Sequence, residues 1–428
     1  MLRFLCTALM SVSLIPYSYA QKSILLKNGH VVDVEQGKIL QQTDVLIEGE
    51  RIVKVMPNIS ADQANTTIFD LKGKYIVPGM IDMHVHLPGP EGEDIPMKDF
   101  MRMSLASGIT SIRSMRGHAD QLPIQDSVRK GFLMGPSMYL ASPAFREDSA
   151  HVLFKDIPTA IERYKSQGFQ YIKYLSGKTP GYYDSVYKYA QLANMPLVGH
   201  APPGGLKQAA IQSPLSVEHI DALLAVYLKD PAQFTSLMKA CEEKNVFFCP
   251  DVYWYLVTYQ VLPLHYLQKK PGLSQLPPAI VEDWSNRYTK VKARMSPTDY
   301  TAMQTKWQKQ IDATLKMLKA MNAEGIKLLI SPGDGEFIIP GNSYYDELYY
   351  FKLAGIPSAD ILKAATINAA QALHDDANIG SIKEGKYADI LVVKDNPLQN
   401  IIAMVYPQMV IVRNRYISAS GELADVLQ

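Results

Sequence analysis

The stretch GMIDMHVHL, residues 79–87, puts His84 and His86 on alternate positions of a short apolar run that is entered through Pro78 and Gly79. Alternate residues of a β-strand face the same side, so the two imidazoles leave the strand together. Two imidazoles on one side of a strand end can hold one divalent metal. Two satisfied core histidines would read the same way, and the pair alone does not separate these readings.

Working outward, apolar strand-like segments alternate with helical ones. Strands are expected at 81–86, 110–114, 137–141, 170–175, 196–200, 215–219, 246–250 and 327–331. Between them lie helical patterns such as MKDFMRMSLASG, TAIERYKSQG, YDSVYKYAQLANM and AQFTSLMKACEEKN. Eight strands with intervening helices predict an α/β fold, a (β/α)8 TIM barrel over residues 79–378. The interval 251–326 is too long for a single loop and contains a helical run ending TLKMLKAMNAEG. It predicts a helical insertion over the barrel mouth.

The flanks have a different character. SILLKNGHVVDV, DVLIEGERIVKVMP and TTIFDLKGKYIVP are β-rich runs broken by Asn-Gly, Glu-Gly-Glu and Lys-Gly-Lys turns, and IGSIKEGKYADILVVKDNP and PQMVIVRNRYIS resemble them. They predict a small β-sandwich domain built from both chain termini, residues 21–78 with 379–428.

A chain of 428 residues suits one large barrel with a smaller attached unit. Apolar residues make up 47%, enough for a sizeable core, while charged residues make up 20% and leave a net charge of +1. That balance carries no electrostatic footprint for nucleic acid. The expected partner is a small-molecule substrate, and a homo-oligomer is compatible with the sequence. The first twenty residues, MLRFLCTALMSVSLIPYSYA, join Arg3 to an apolar run and end Ser18-Tyr19-Ala20. This reads as a cleaved secretory signal with the mature chain starting near Gln21, the alternative being an uncleaved anchor. No stable membrane span is expected after cleavage, and the expected location is periplasmic or extracellular. Cleavage leaves Cys241 and Cys249, expected on an outer helix and an inner strand. An oxidising compartment permits a bridge, but that placement favours two free buried thiols.

Other strand ends add chemistry. His200 in PLVGHAPP closes strand five, His219 in LSVEHID closes strand six, and Asp334 in LLISPGDGE follows strand eight. Each has an ordinary reading: a turn cap, a partner of Glu218, or an Asx turn before Gly335. Their joint placement at strand C-termini, where such barrels build active sites, favours a metal site. Lys173, in FQYIKYLSG, sits inside an apolar strand. Burial disfavours its charge and lowers its pKa, and a neutral amine reacts with carbon dioxide to give a two-oxygen carbamate. Snorkelling of the side chain to the rim is the alternative. With the histidines present, a metal-bridging carbamate is the better reading.

These residues resemble the metal-dependent amidohydrolase superfamily, within its group similar to Xaa-Pro dipeptidases (prolidase-type) and imidazolonepropionases. PGMIDMHVHL resembles the family's strand-one signature and GITSIRSM its strand-two segment. ILKAATINAAQALHDDANIGSIKEGKYADILVVKDNPL resembles its C-terminal signature, and the matches span about residues 22–415. The resemblance implies that His84, His86 and Asp334 hold the more buried of two divalent ions, that His200 and His219 hold the second, and that carboxylated Lys173 bridges them. Zinc is the expected metal, with manganese or another divalent ion compatible. Two ions about 3.5–4 Å apart share a hydroxide, polarise a carbonyl and bring the pKa of bound water to about 7. Asp334 would take the hydroxide proton and pass it to the leaving amine, which implies a hydrolase of amide C–N bonds. The chain departs from the family at Ser331-Pro332-Gly333-Asp334, where Gly-Thr-Asp is common, and at SPAFREDSAH, where a Gly-rich segment is usual.

Specificity is expected from loops and the insertion. Tyr253, Trp254 and Tyr255 either wall the mouth for a proline ring or acyl chain, or pack the insertion onto the barrel. Arg113, Arg116 and His118 follow strand two and either meet a substrate carboxylate or lie on the surface. His151, on the loop after strand three, is a further candidate contact. The expected substrate is an Xaa-Pro dipeptide, then an N-acyl amino acid. A cyclic-amide, lactone or phosphotriester hydrolase on the same metal site is the alternative. A non-catalytic extracytoplasmic metal- or ligand-binding protein is a third class.

Overall fold

The computed structural model describes residues 23–88, 95–148, 151–413, 415–418 and 423–424. The expected leader, residues 1–20, lies outside the described residues.

Two parallel sheets carry the centre of the molecule. Met80–Val85, Ile109–Ser114 and Ser137–Leu140 form the first. Ile172–Ser176, Leu197–His200, Ser216–Glu218 and Phe247–Cys249 form the second, with the two-residue strand Phe145–Arg146 at its edge. Most of these residues are buried, as in parallel sheets covered on both faces.

Backbone hydrogen bonds join the two sheets at both ends. On one side Ala141 bridges Tyr171, and the Gln170 N–H donates to the Leu140 carbonyl at 2.8 Å. On the other, Phe248 bridges Leu328, the Leu329 N–H donates to Phe248 at 2.8 Å, and the Met83 N–H donates to Ile330 at 3.1 Å. Residues 327–331 therefore hold the place expected for an eighth strand without forming a regular one. The Ser331 hydroxyl, rather than a backbone amide, makes the last bond to strand one, donating to the His84 carbonyl at 2.9 Å. The result is a ring of eight backbone segments, with helices such as Met97–Ala106, Ile157–Gln167, Tyr182–Leu192 and Pro231–Glu242 between them. The last of these starts at an Asp230 cap, whose carboxylate accepts from the Gln233 N–H at 3.0 Å, with Pro231 in the first turn.

Between strand seven and residue 327 come the helices Val252–Thr258, Leu264–Leu267, Pro278–Ala293 and Pro297–Ala323. Tyr259 and Trp307 stack with centroids 3.6 Å apart and tie the first of these segments to the last. Among the described residues, no helix is long and apolar enough to cross a membrane. Cys241, on an outer helix, and Cys249, on an inner strand, are both buried and unbridged.

Both ends of the chain enter one connected nine-stranded sheet. Its seam is Tyr75–Pro78 paired antiparallel with Ile390–Val393. Ile24, Leu26, Val45, Ile47, Ile76 and Ile390 share a buried cluster on it. One continuous sheet, rather than two explicit layers, is what the pairing shows. One expected turn is also corrected. Asn28-Gly29 does not end a strand: Ser23–Asp33 runs through it with register shifts on either side of Gly29. Asn28 adopts a left-handed φ of 56°, and its N–H is taken by Asp44 Oδ1 at 2.8 Å. A β-bulge uses the same left-handed Asn that a hairpin turn would.

Candidate active site

The ring's strand ends converge on one cavity of about 700 Å3. His84, His86, Lys173, His200, His219 and Asp334 all line it. The His84 ring lies 5.3 Å from His86 and 5.0 Å from His219, and His200 lies 4.8 Å from His219. Strand one supplies the first pair by its period of two. His200 ends Leu197–His200, and His219 follows Ser216–Glu218 at a left-handed φ of 70°. Pro332 does not keep Asp334 from the site. Gly333, at φ 76°, turns the chain, and Asp334 Oδ2 comes within 3.2 Å of His86 Nδ1.

Burial sets the protonation states. It holds His84 well below its ordinary value and His200 down to about 3, so both rings are neutral with a lone pair to give. Burial also pulls the Lys173 ammonium down to about 8, against the opposing pull of Glu218. Its stem packs against Gly199, where a Cβ would stand 3.1 Å from Lys173 Cδ and 2.2 Å from the Tyr174 carbonyl oxygen.

Three buried acids join the site beyond the expected ligands, and Glu218, expected only as a partner of His219, faces Arg113 and His84 instead. Asp82 shares the strand face of His84 and His86, lines the cavity, and is pushed by burial up to about 7. The alternation that found the histidines also reaches it. Glu218 accepts from Arg113 at 2.7 Å and lies 3.3 Å from His84 Nδ1. Asp251, at the end of strand seven, lies 3.1 Å from His84 Nδ1 and 3.2 Å from His219 Nδ1. Burial works against its charge, and the two imidazoles outweigh that and hold it down to about 2. Its place at a strand end was the available signal.

Two expected substrate contacts are corrected. Arg113 is fully buried and does not line the cavity. It points into the ring and donates to the Met83 carbonyl, Ser216 Oγ and Glu218. Tyr255 is also buried away from the cavity, its hydroxyl donating to Asp221, so it packs the insertion instead of walling the mouth. His151 does line the cavity and pairs with Asp148 at 2.7 Å. Arg116 and His118 line it too.

The residues present fit a divalent metal. Four histidines and the Asp334 carboxylate line the cavity, and His84 and His219 turn their Nδ1 edges to Asp251, which leaves their other ring nitrogens for an ion. His219 Nδ1 and Asp251 Oδ2 are buried and, apart from the imidazole–carboxylate contacts at 3.1 and 3.2 Å, have no hydrogen-bond partner among the described residues. Neutral imidazoles with carboxylates suit several divalent ions.

Comparison with known proteins bears on the fold. Residues 341–417 match the Amidohydrolase family. A dihydroorotase of Carboxydothermus hydrogenoformans is 41% identical over 95 residues, 22% of this chain and only 21% of that protein. Among solved structures, a bottromycin amidohydrolase superposes with TM-score 0.71 at 17% identity, covering 93% of this chain and 88% of the other. A Xaa-Pro dipeptidase with methionine bound in its active site gives TM-score 0.66 at 18% identity, covering 94% and 100%. At these identities the structures speak for the fold, which is TIM-barrel-type with an extra domain. The chain is thus similar to the Amidohydrolase family over residues 341–417 and similar in fold to amidohydrolases and prolidase-type dipeptidases.

Proposed function

We propose that this chain is a hydrolase of amide C–N bonds that works with two divalent ions, most fittingly zinc, on an Xaa-Pro dipeptide or an N-acyl amino acid. The observation that carries the reading is the convergence of His84, His86, Lys173, His200, His219 and Asp334 on one cavity. We read the ring as a (β/α)8 barrel over residues 79–378, and the terminal sheet, residues 21–78 with 379–428, as a β-sandwich. We also read residues 1–20 as a cleaved leader that delivers the protein to the periplasm or beyond.

His84, His86 and Asp334 would hold one ion, His200 and His219 the other, with Lys173 between. When bound, the ions would supply Lewis acidity and ease the ionisation of water. The chain's own residues do the rest. An amine held near pKa 8 is partly neutral at physiological pH, so Lys173 can take up carbon dioxide and release a proton, becoming an anionic ligand. Asp334, half-exposed at the cavity and facing His86, is placed to accept a proton and return it to the leaving nitrogen. Arg116, Arg146 and Arg287 line the same cavity, which gives a substrate carboxylate cationic neighbours.

The test is metal content by elemental mass spectrometry on protein purified without chelators, followed by a panel of Xaa-Pro dipeptides and N-acyl amino acids. Two ions per chain, and activity lost together with metal in a His84→Ala, His86→Ala double variant, are the expected results. Hydrolysis unchanged in a metal-free double variant would sink the reading.

A further inference from the structure

We propose that Asp251 is a positioning residue that orients one histidine from each half of the metal centre, acting on the Nδ1 edges of His84 and His219. This rests on the metal-centre reading above. There, His84 belongs to one ion and His219 to the other, and a single carboxylate oxygen stands 3.1 Å and 3.2 Å from their Nδ1 atoms.

The surroundings put Asp251 behind the rings. His84 and His219 form part of the cavity wall, whereas Asp251 is fully buried and does not. Glu218, likewise off the wall, accepts from the same Nδ1 of His84 at 3.3 Å. That edge of the ring therefore faces acids, and the lone pair of its other nitrogen is left for the cavity. A ligand imidazole whose second nitrogen faces a carboxylate is fixed in tautomer and orientation, and becomes more basic.

The backbone supports the same role. Asp251 takes a left-handed φ of 50° at the N-cap position of Val252–Thr258. An aspartate there ordinarily accepts amides of the first turn, but this one makes no such bond. Glu347 accepts the Val252 and Tyr253 N–H groups instead, at 3.0 and 2.8 Å. The other oxygen of Asp251 is held by the Cys249 thiol at 3.2 Å. The side chain is thus released from capping, aimed into the ring and pinned there.

Because Asp251 touches both halves, its loss weakens both ions together, whereas loss of a direct ligand removes one. The test uses full-length D251N and D251G. Asn tolerates left-handed φ and keeps the volume, and Gly removes the side chain without backbone strain. Wild type and variants are checked by thermal melt, then titrated with Zn2+ and Co2+ against a competing chelator. Stoichiometry is read by elemental mass spectrometry. The expected result is two ions per chain throughout, with both dissociation constants weaker by about 10–100-fold and a changed Co2+ absorption spectrum. A variant that holds only one ion would make Asp251 a ligand and overturn the proposal. So would folded variants with unchanged constants. A wild type that binds no metal would overturn the metal-centre reading and this proposal with it, a result distinct from a loaded wild type with indifferent variants.

Discussion

The guanidinium of Arg113 donates to Glu218 at 2.7 Å with both side chains wholly shut off from solvent. The pair lies behind the cavity histidines and touches His84 through the second Glu218 oxygen. Breaking a buried pair strands the remaining charge and costs roughly 3–5 kcal/mol. Arg113→Met should therefore lower stability by about that amount in denaturant unfolding. A loss under about 1 kcal/mol would show that water or another cation reaches Glu218.

Asp334 is a different case, because its side chain is 37% exposed. Asp334→Asn should leave stability within about 0.5 kcal/mol while lowering kcat roughly 100- to 10,000-fold. A variant with wild-type kcat would remove Asp334 from proton transfer.

Stability should also fall with rising pH through Asp389. Burial pushes this carboxyl from 3.8 up to about 7, with Arg413 opposing the shift. Neither oxygen has a hydrogen-bond partner among the described residues. A group with a raised folded pKa contributes fully below its unfolded value, and the contribution is lost as pH rises through the folded value. The window is therefore pH 4 to about 7. In denaturant unfolding, the stability of Asp389→Asn should gain on wild type across that window, on the order of a few kcal/mol by its top. A difference that stays flat with pH would mean that Asp389 is ionised in the fold throughout.

Gly199 admits no side chain. With φ at 126° and a Cβ falling 2.2 Å from the Tyr174 carbonyl oxygen, Gly199→Ala must push strands four and five apart. We expect a loss of more than about 2 kcal/mol, together with reduced metal content, since Lys173 and His200 flank the clash. Wild-type melting and metal content would show that the strands yield without cost.

What could be read from residues alone followed local rules. The period of two put His84 and His86 on one face, and apolar runs between helical patterns marked seven strands to within about two residues. The eighth was located but not characterised, because Ser331 replaces a ladder bond with its hydroxyl and no local pattern announces that. Asn28-Gly29 misled because a bulge and a turn demand the same left-handed backbone. Asp251 went unread because an acid before a helix normally caps it, and only the distant Glu347 frees it from that task.

The sequence by itself determined the alternation of strand and helix, the apolar cores and the histidines and carboxylate at strand ends, since each depends on neighbours a few positions away. The tertiary structure alone decided that Arg113 serves Glu218 rather than a substrate, that Tyr255 packs the insertion, and that Asp251 meets His84 and His219. Those pairings join residues far apart in the chain, Arg113 and Glu218 by 105 positions. A buried charge is satisfied by whatever the closed ring brings within hydrogen-bond reach, and that is a property of the ring's closure.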